Sequence, residues 1–150
     1  MYRRATSGLL WTAMVCWAGT ILYLSSLSPN ELPGTAFLFW DKFNHVAAYA
    51  LGGWLAASAL RASRPQTSHT TVLMLAVQML ATFGVVDEAF QTLTPGRSGG
   101  DVGDWTADVL GACVGALLGL RRAAPSYEIN PPVTSPSNES QRAGGSRGAP

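Results

Sequence analysis

Residues whose side chains could do chemistry occur in a few tight groups along this chain, and the spacing within each group matches one face of a helix. Asp41 and His45 lie four residues apart, and so do Asp104 and Asp108. A carboxylate at this spacing from an imidazole can fix the tautomer of the imidazole ring. We therefore predict one polar site, composed of Asp41, Asn44, His45, Tyr49, Asp87, Glu88, Gln91, Arg97, Asp104 and Asp108.

Several kinds of chemistry suit these residue types. The carboxylates and the imidazole could act as general acids and bases, with the acids as ligands of a divalent ion. A single strong nitrogen ligand, His45, suits Mg²⁺ or Mn²⁺ better than Zn²⁺. Arg97 could clamp Glu88 or Asp104 inside the site, or attract lipid phosphate from a loop. No cofactor is predicted, a divalent metal is kept as an alternative, and no catalytic residue is assigned.

The same residues also have a purely structural interpretation. His45 could be a hydrogen-bonded residue near a helix start, while Asp87 and Glu88 could be exposed to water at a membrane surface. A charge at the centre of the hydrocarbon costs roughly 2.5–3.5 kcal/mol. This many polar groups near a bilayer need partners or a wet cavity, so we expect the carboxylates to share a cavity with Arg97.

Four apolar runs must position the site. They cover residues 8–27, 43–60, 71–90 and 105–120, and every proline of the first 120 residues falls between them. Proline ends helices, and the runs show no apolar–polar alternation, so helices are predicted and strands are not. The first run and most of the third have no charged residue on any face, which favours a membrane over a soluble bundle. We predict an all-α fold, a four-transmembrane-helix bundle with short loops.

The arginines predict how the chain lies in the membrane. Two precede the first run, two lie between the second and third, and two directly follow the fourth, whereas the other two loops carry only Lys42 and Arg97. By the positive-inside rule both termini are then cytoplasmic, in a cell (plasma or inner) membrane, and the polar site faces outward. Residues 1–120 form the integral membrane domain, and residues 121–150, rich in Pro, Ser and Gly, form a disordered cytoplasmic tail. The first run is longer than the apolar part of a cleaved signal peptide.

Small residues indicate where the helices approach each other closely. Gly111, Gly115 and Gly119 recur every four residues and form a ridge of the small-xxx-small type. Gly52 in the second run allows similar contact. We predict that these four glycines serve helix packing.

Four strings of this chain resemble those of the VanZ-like family of small membrane proteins. They are DKFNH at 41–45 with Tyr49 and Gly52, DEAFQ at 87–91, PGR at 95–97, and DWTAD at 104–108 with its following glycines. Asp108 stands where many members have asparagine, and the stretch between Arg97 and Asp104 is slightly long. The resemblance implies a polytopic bacterial membrane protein, from a family linked to glycopeptide (teicoplanin) resistance, with no established reaction.

Three functions remain open at this point. The first is a cell-envelope protein, acting in ligand binding or antibiotic resistance, whose outer-face cluster recognises an anionic or sugar-bearing ligand such as a lipid-linked precursor. The second is a membrane-embedded, metal-dependent hydrolase or transferase with a lipid-linked envelope substrate. The third is a structural membrane subunit. The expected partners are membrane lipids and a lipid-linked or glycan ligand, and the net charge of +1 argues against nucleic acid.

Overall fold

The computed structural model describes residues 2–31 and 41–122, and this part of the chain forms four α-helices and no strand. The helices are α1 (Tyr2–Ser26), α2 (Asp41–Ser63), α3 (His69–Gln91) and α4 (Val102–Arg122). Each contains most of one apolar run of the sequence, so the predicted all-α fold of four helices is confirmed. The tail predicted for residues 121–150 lies outside the described residues, except that its first two residues end α4.

Local side-chain contacts explain where two of the helices begin. Ser68 is extended (φ −60°, ψ 150°), and its hydroxyl accepts a hydrogen bond from the Thr71 amide at 3.1 Å, which caps the start of α3. Asp101 does the same for α4, because its Oδ1 accepts the Gly103 amide at 2.7 Å. These caps satisfy amide groups that a helix cannot bond internally, and so fix where α3 and α4 start.

Three of the described helices are long and apolar enough to cross a membrane, namely the segments Ala5–Ser26, His69–Gln91 and Val102–Arg121. Their exposed side chains include large apolar groups such as Leu9, which is 72% exposed, and Met74, which is 68% exposed. An exposed surface of this kind is suited to lipid and not to water. The chain therefore has the composition and surface of a membrane protein.

The helix α2 is not apolar enough to count as a spanning candidate. It begins with Lys42, Asn44 and His45, and much of the rest consists of small residues. Instead, α2 contacts each of the other three helices, and Ala56 and Ala57 on it are completely buried. A helix that packs against three others has a smaller surface left to face lipid and needs fewer apolar side chains, which explains why α2 differs from its neighbours.

The closest helix pair is α2 with α4, and glycines make its approach possible. A Cβ atom added to Gly111 would overlap the carbonyl oxygen of Val46, and one added to Gly115 would overlap that of Ala50. At Gly119 the contact is looser, since the added atom would lie 3.0 Å from the Trp54 oxygen. The glycine ridge of α4 thus lies directly against the backbone of α2.

Three aromatic rings fill the core between α1, α2 and α3. The Trp17 ring lies 5.4 Å from that of Tyr49, edge to face, and 5.3 Å from that of Phe83. Gly52 leaves the space for Trp17, because a Cβ atom there would lie 2.5 Å from the Trp17 ring. The Trp17 indole donates a hydrogen bond to the Ala48 carbonyl at 3.0 Å, which satisfies its polar atom. This cluster forms the floor beneath the polar residues described next.

Candidate functional site

The polar side chains meet at one end of the bundle, where α1 and α3 end and α2 and α4 begin. The side chain of Asp41 lies outside the described residues, and the other nine members of the predicted polar site are described. Asp87 and Glu88 are 1% and 5% exposed, so they are not water-exposed residues of the membrane surface. The nine come from α2 (Asn44, His45, Tyr49), α3 (Asp87, Glu88, Gln91), the α3–α4 loop (Arg97) and α4 (Asp104, Asp108).

His45 and Asp108 form the central polar contact between α2 and α4. Nδ1 of His45 lies 2.8 Å from Oδ1 of Asp108, whose side chain is fully buried. The structure thus places a carboxylate from another helix at Nδ1, and the pairing of Asp41 with this imidazole, which the sequence spacing predicts, lies outside the described residues. The hydroxyl of Tyr49 and Oδ2 of Asp108 are buried and have no hydrogen-bond partner among the described residues.

Asp87 lies at the centre of a second set of contacts, which joins α1 to α3. Its Oδ1 accepts a hydrogen bond from the Ser25 hydroxyl at 2.6 Å, and its Oδ2 accepts one from the Gln91 side-chain amide at 3.2 Å. The Thr94 hydroxyl also donates to the Ser25 carbonyl at 3.0 Å. A buried carboxylate needs donors for both of its oxygens, and these contacts supply them.

A tight turn positions Arg97. The Arg97 amide donates to the Thr94 carbonyl at 3.2 Å, Pro95 occupies the second position of the turn, and Gly96 follows with φ +81°. This is the pattern of a type II turn, which favours proline at that position and needs glycine, or another residue that tolerates positive φ, at the next. The Pro-Gly-Arg string of the sequence therefore forms the turn that directs the arginine back toward α1.

The guanidinium of Arg97 bonds the end of α1. Its Nη2 donates to the Leu24 carbonyl at 2.8 Å, its Nε to the Leu27 carbonyl at 3.2 Å, and its Nη1 to Oε1 of Gln91 at 3.4 Å. None of these partners is the Glu88 or Asp104 carboxylate, so the expectation of a clamp on either acid was wrong. The reason is that the last carbonyls of a helix lack partners within the helix and attract a cation.

Glu88 and Asp104 occupy the other side of the site, next to the start of α4. Oε2 of Glu88 accepts the Asp101 amide at 2.9 Å, and Lys42 donates to Oδ1 of Asp104 at 2.7 Å. Lys42 also lies 3.6 Å from the Asp101 carboxylate. The Gly103 amide, with Lys42 nearby, holds the pKa of the Asp101 carboxyl below its ordinary value. Asp101 thus has a role, as the cap of α4 and a second partner of Lys42.

A cavity of about 310 Å³ opens between α1, α2 and the α3–α4 loop. Apolar side chains of α1, Ile21 and Leu24, line one side. Of the carboxylates expected to share a cavity with Arg97, Asp87 lines it, whereas Glu88, Asp104 and Asp108 do not. The polar lining consists chiefly of Asn44, His45, Tyr49, Asp87, Gln91 and Arg97.

The sequence prediction missed three residues that the structure places in the site. Ser25 and Thr94 connect α1 to α3, and Lys42 pairs with Asp104. A signal existed for Lys42, which lies beside Asn44 and His45 at the start of the second apolar run. Ser25 lies among other serines at the end of an apolar run, and spacing along one helix does not distinguish it from Ser26.

Replacing Ser25 with alanine should destabilise the protein, and the same change at Ser26 should not. Ser25→Ala leaves Oδ1 of the buried Asp87 without its donor, which typically costs about 1–3 kcal/mol. The Ser26 hydroxyl is exposed and donates only to the Tyr23 carbonyl of its own helix, so we expect a change within about 0.5 kcal/mol. Thermal unfolding in detergent measures both variants. Equal shifts would contradict the role given to Ser25.

Comparisons of this chain with protein-family models, with curated proteins and with solved structures found no match.

Proposed function

We propose that this chain is a VanZ-like integral membrane protein of the cell envelope that binds an amphiphilic ligand in its cavity. The observation that carries the proposal is the two-sided lining of that cavity. Ile21 and Leu24 of α1 are apolar, whereas most of the polar lining comes from α2, α3 and the α3–α4 loop. A lipid-linked sugar likewise has two unlike parts, a polar headgroup and a hydrocarbon chain.

The polar lining favours a sugar-bearing headgroup over a bare phosphate. The three donor atoms of Arg97 that make hydrogen bonds are directed at Leu24, Leu27 and Gln91, so this arginine is committed to the protein itself. The remaining lining includes the amide of Asn44, the imidazole of His45 and the phenol of Tyr49, groups that exchange hydrogen bonds with hydroxyls. The cavity volume of about 310 Å³ suits a small headgroup.

The proposed orientation places the cavity on the outer side of a plasma or inner membrane, with the chain crossing several times and both termini cytoplasmic. It is supported by six arginines at the ends of the helices remote from the cavity, whereas Arg97 lies in the cavity itself; the six are Arg3, Arg4, Arg61, Arg64, Arg121 and Arg122. An outward-facing site would meet lipid-linked envelope precursors on the side where they are used. A role in resistance to glycopeptide antibiotics, as the resemblance to the VanZ-like family implies, is consistent with that location.

Filling the cavity with a larger side chain should weaken ligand binding. Ala48 lines the cavity, whereas Ala47 on the same helix is exposed and does not line it. We expect Ala48→Leu to weaken binding of a polyprenyl-phosphate-linked sugar to the protein in nanodiscs by at least about tenfold, equal to about 1.4 kcal/mol. Ala47→Leu, the matched control, should bind as the unsubstituted protein does.

The comparison of ligands completes this test. The polyprenyl phosphate without its sugar should bind more weakly than the sugar-linked form. Equal binding of the two lipids would contradict a sugar-recognising site, and no binding of either would favour the purely structural role. Native mass spectrometry of the purified chain measures bound lipid directly and identifies any molecule that co-purifies.

A second candidate function is a membrane-embedded hydrolase or transferase acting on a lipid-linked substrate. The observation in its favour is the imidazole of His45, which lines the cavity and whose Nδ1 is held by Asp108 behind it, since a carboxylate at Nδ1 orients an imidazole for acid–base work. Release of free sugar or lipid phosphate during the binding experiment would support this candidate. An unchanged sugar-linked lipid after prolonged incubation would leave binding as the function.

A further inference from the structure

The side chains of His45, Glu88 and Asp104 converge from three helices on one point. One potential ligand atom from each, a ring nitrogen or a carboxylate oxygen, lies within 4.8 Å of those of the other two. Glu88 and Asp104 are buried, and His45 is partly buried. We propose that these three residues bind a divalent cation of the Mn²⁺ class, at the wall of the cavity that His45 also lines.

A buried oxygen of Glu88 supports a ligand at this point. Its Oε2 accepts the Asp101 amide, but its Oε1 is buried and has no hydrogen-bond partner among the described residues. Glu88 is 95% buried, since its exposed fraction is 5%. An unpartnered carboxylate oxygen is costly in such a place, and a cation would supply the missing partner.

The orientation of His45 also fits a metal ligand. Asp108 lies 2.8 Å from Nδ1 and so fixes the orientation of a ring that lies beside Glu88 and Asp104. Imidazoles that bind metals usually donate their other ring nitrogen to a carboxylate, which fixes the tautomer and makes the ligand more basic. In this arrangement Asp108 is a positioning residue and does not touch the ion.

The balance of charge at this end of the bundle favours a cation. Among the described residues of the site, two basic side chains, Lys42 and Arg97, face five acidic ones, and Arg97 is directed at helix carbonyls. A divalent ion would offset much of the remaining negative charge, which is costly near a low-dielectric membrane interior. The five acidic side chains are Asp87, Glu88, Asp101, Asp104 and Asp108.

The ligand types select the class of cation. Two carboxylates and one imidazole suit Mn²⁺, which accepts oxygen and nitrogen ligands, whereas a Ca²⁺ site would be built from oxygen alone. Three protein ligands leave further coordination positions for water or for a ligand in the cavity. Lys42, which now bonds Asp104, has a half-exposed side chain and can move outward when the ion enters.

The test uses the full chain, purified in detergent, stripped with a chelator and titrated with Mn²⁺ alone. Electron paramagnetic resonance should show one Mn²⁺ bound per chain, with coupling to one imidazole nitrogen. Glu88→Gln and Asp104→Asn should each weaken binding at least about tenfold, because even positioning residues of metal sites typically contribute about 10–100-fold. The control Glu31→Gln alters an exposed glutamate that bonds Ser28, and should leave binding unchanged.

Several outcomes would overturn the proposal. They are the absence of bound Mn²⁺ in the unsubstituted chain, unaltered binding in Glu88→Gln, or a signal without nitrogen coupling. No lipid is present in this experiment, so its result does not depend on the proposed ligand of the cavity. Glutamine can still accept the Asp101 amide, which preserves the local fold of the variant.

Discussion

A leucine in place of Gly115 should prevent α2 and α4 from packing and leave little folded protein. A Cβ atom at this position already overlaps the Ala50 carbonyl oxygen and would lie 2.6 Å from the Ala50 carbonyl carbon. These are backbone atoms in the middle of a helix, so they cannot move unless the two helices separate. Overpacking of a core typically costs about 1–3 kcal/mol, and we expect about 3 kcal/mol or more here.

Two matched variants show whether the effect comes from the helix contact. Gly19 of α1 has no atom within 4 Å of an added Cβ, so Gly19→Leu introduces the same side chain in the same kind of helix without a clash. Gly119→Ala, at the looser end of the ridge, should have a small effect. Size-exclusion chromatography and thermal unfolding in detergent measure all three. A stable, monodisperse Gly115→Leu protein would contradict the close approach of α2 and α4.

The helices could be predicted because their signals are local. Each apolar run is bounded by proline or polar residues, and the four-residue spacing of Gly111 and Gly115 marks one face of α4 as the close-packed one. The structure places both glycines against α2, at Val46 and Ala50. The same reasoning predicted that the polar residues meet at one end of the bundle. They lie at the starts of α2 and α4 and at the end of α3, and consecutive helices run in opposite directions.

The partners across helices could not be predicted from spacing. Residues spaced four apart share one face of a helix. Which other helix that face contacts depends on how the helices are rotated and offset relative to one another. His45 illustrates this, because Asp108, which lies 2.8 Å from its Nδ1, is 63 residues away in the sequence. The same applies to Ser25 and Asp87, which are separated by 62 residues and meet only in the folded bundle.

The lower hydropathy of α2 has a related cause. A sequence window cannot distinguish a helix that faces lipid from one enclosed by other helices. The polar start of α2 and its small residues lower its apolar character, yet they are what allows contact with all three neighbours. The sequence predicted four spanning helices, and only three of the described helices are apolar and long enough to be candidates.

Replacing Arg97 with alanine should loosen the α3–α4 loop from α1 and lower the stability of the whole site. The change removes hydrogen bonds to the Leu24 and Leu27 carbonyls and the bond to Gln91. Hydrogen bonds to charged groups contribute about 1.5–3 kcal/mol each. Allowing for water that can replace some of them, we expect a total loss of about 3 kcal/mol, or a fall in the unfolding midpoint of about 10 °C or more.

Two further variants, Arg97→Lys and the control Arg64→Ala, distinguish the effect of the hydrogen-bond geometry of Arg97 from the effect of losing a positive charge. Lysine keeps the positive charge but cannot direct donors to three acceptors at once, so Arg97→Lys should recover only part of the stability. Arg64 is an exposed arginine in the loop between α2 and α3, and Arg64→Ala should change the midpoint little. Thermal unfolding and limited proteolysis of the α3–α4 loop measure these effects. Full stability of Arg97→Ala would contradict the role of this arginine.

Ligand affinity in the same variants distinguishes a binding site from a structural one. Arg97 bonds Gln91, and Gln91 bonds Asp87, so its loss should disturb the cavity lining even in molecules that remain folded. If the cavity binds a ligand, Arg97→Lys should show weaker binding at temperatures where it is fully folded, while Ser26→Ala should not. If the polar residues only hold the helices together, Arg97→Lys should lower the stability, and neither this variant nor the unsubstituted protein should bind the ligand. Measuring both quantities on one preparation therefore decides between the two roles.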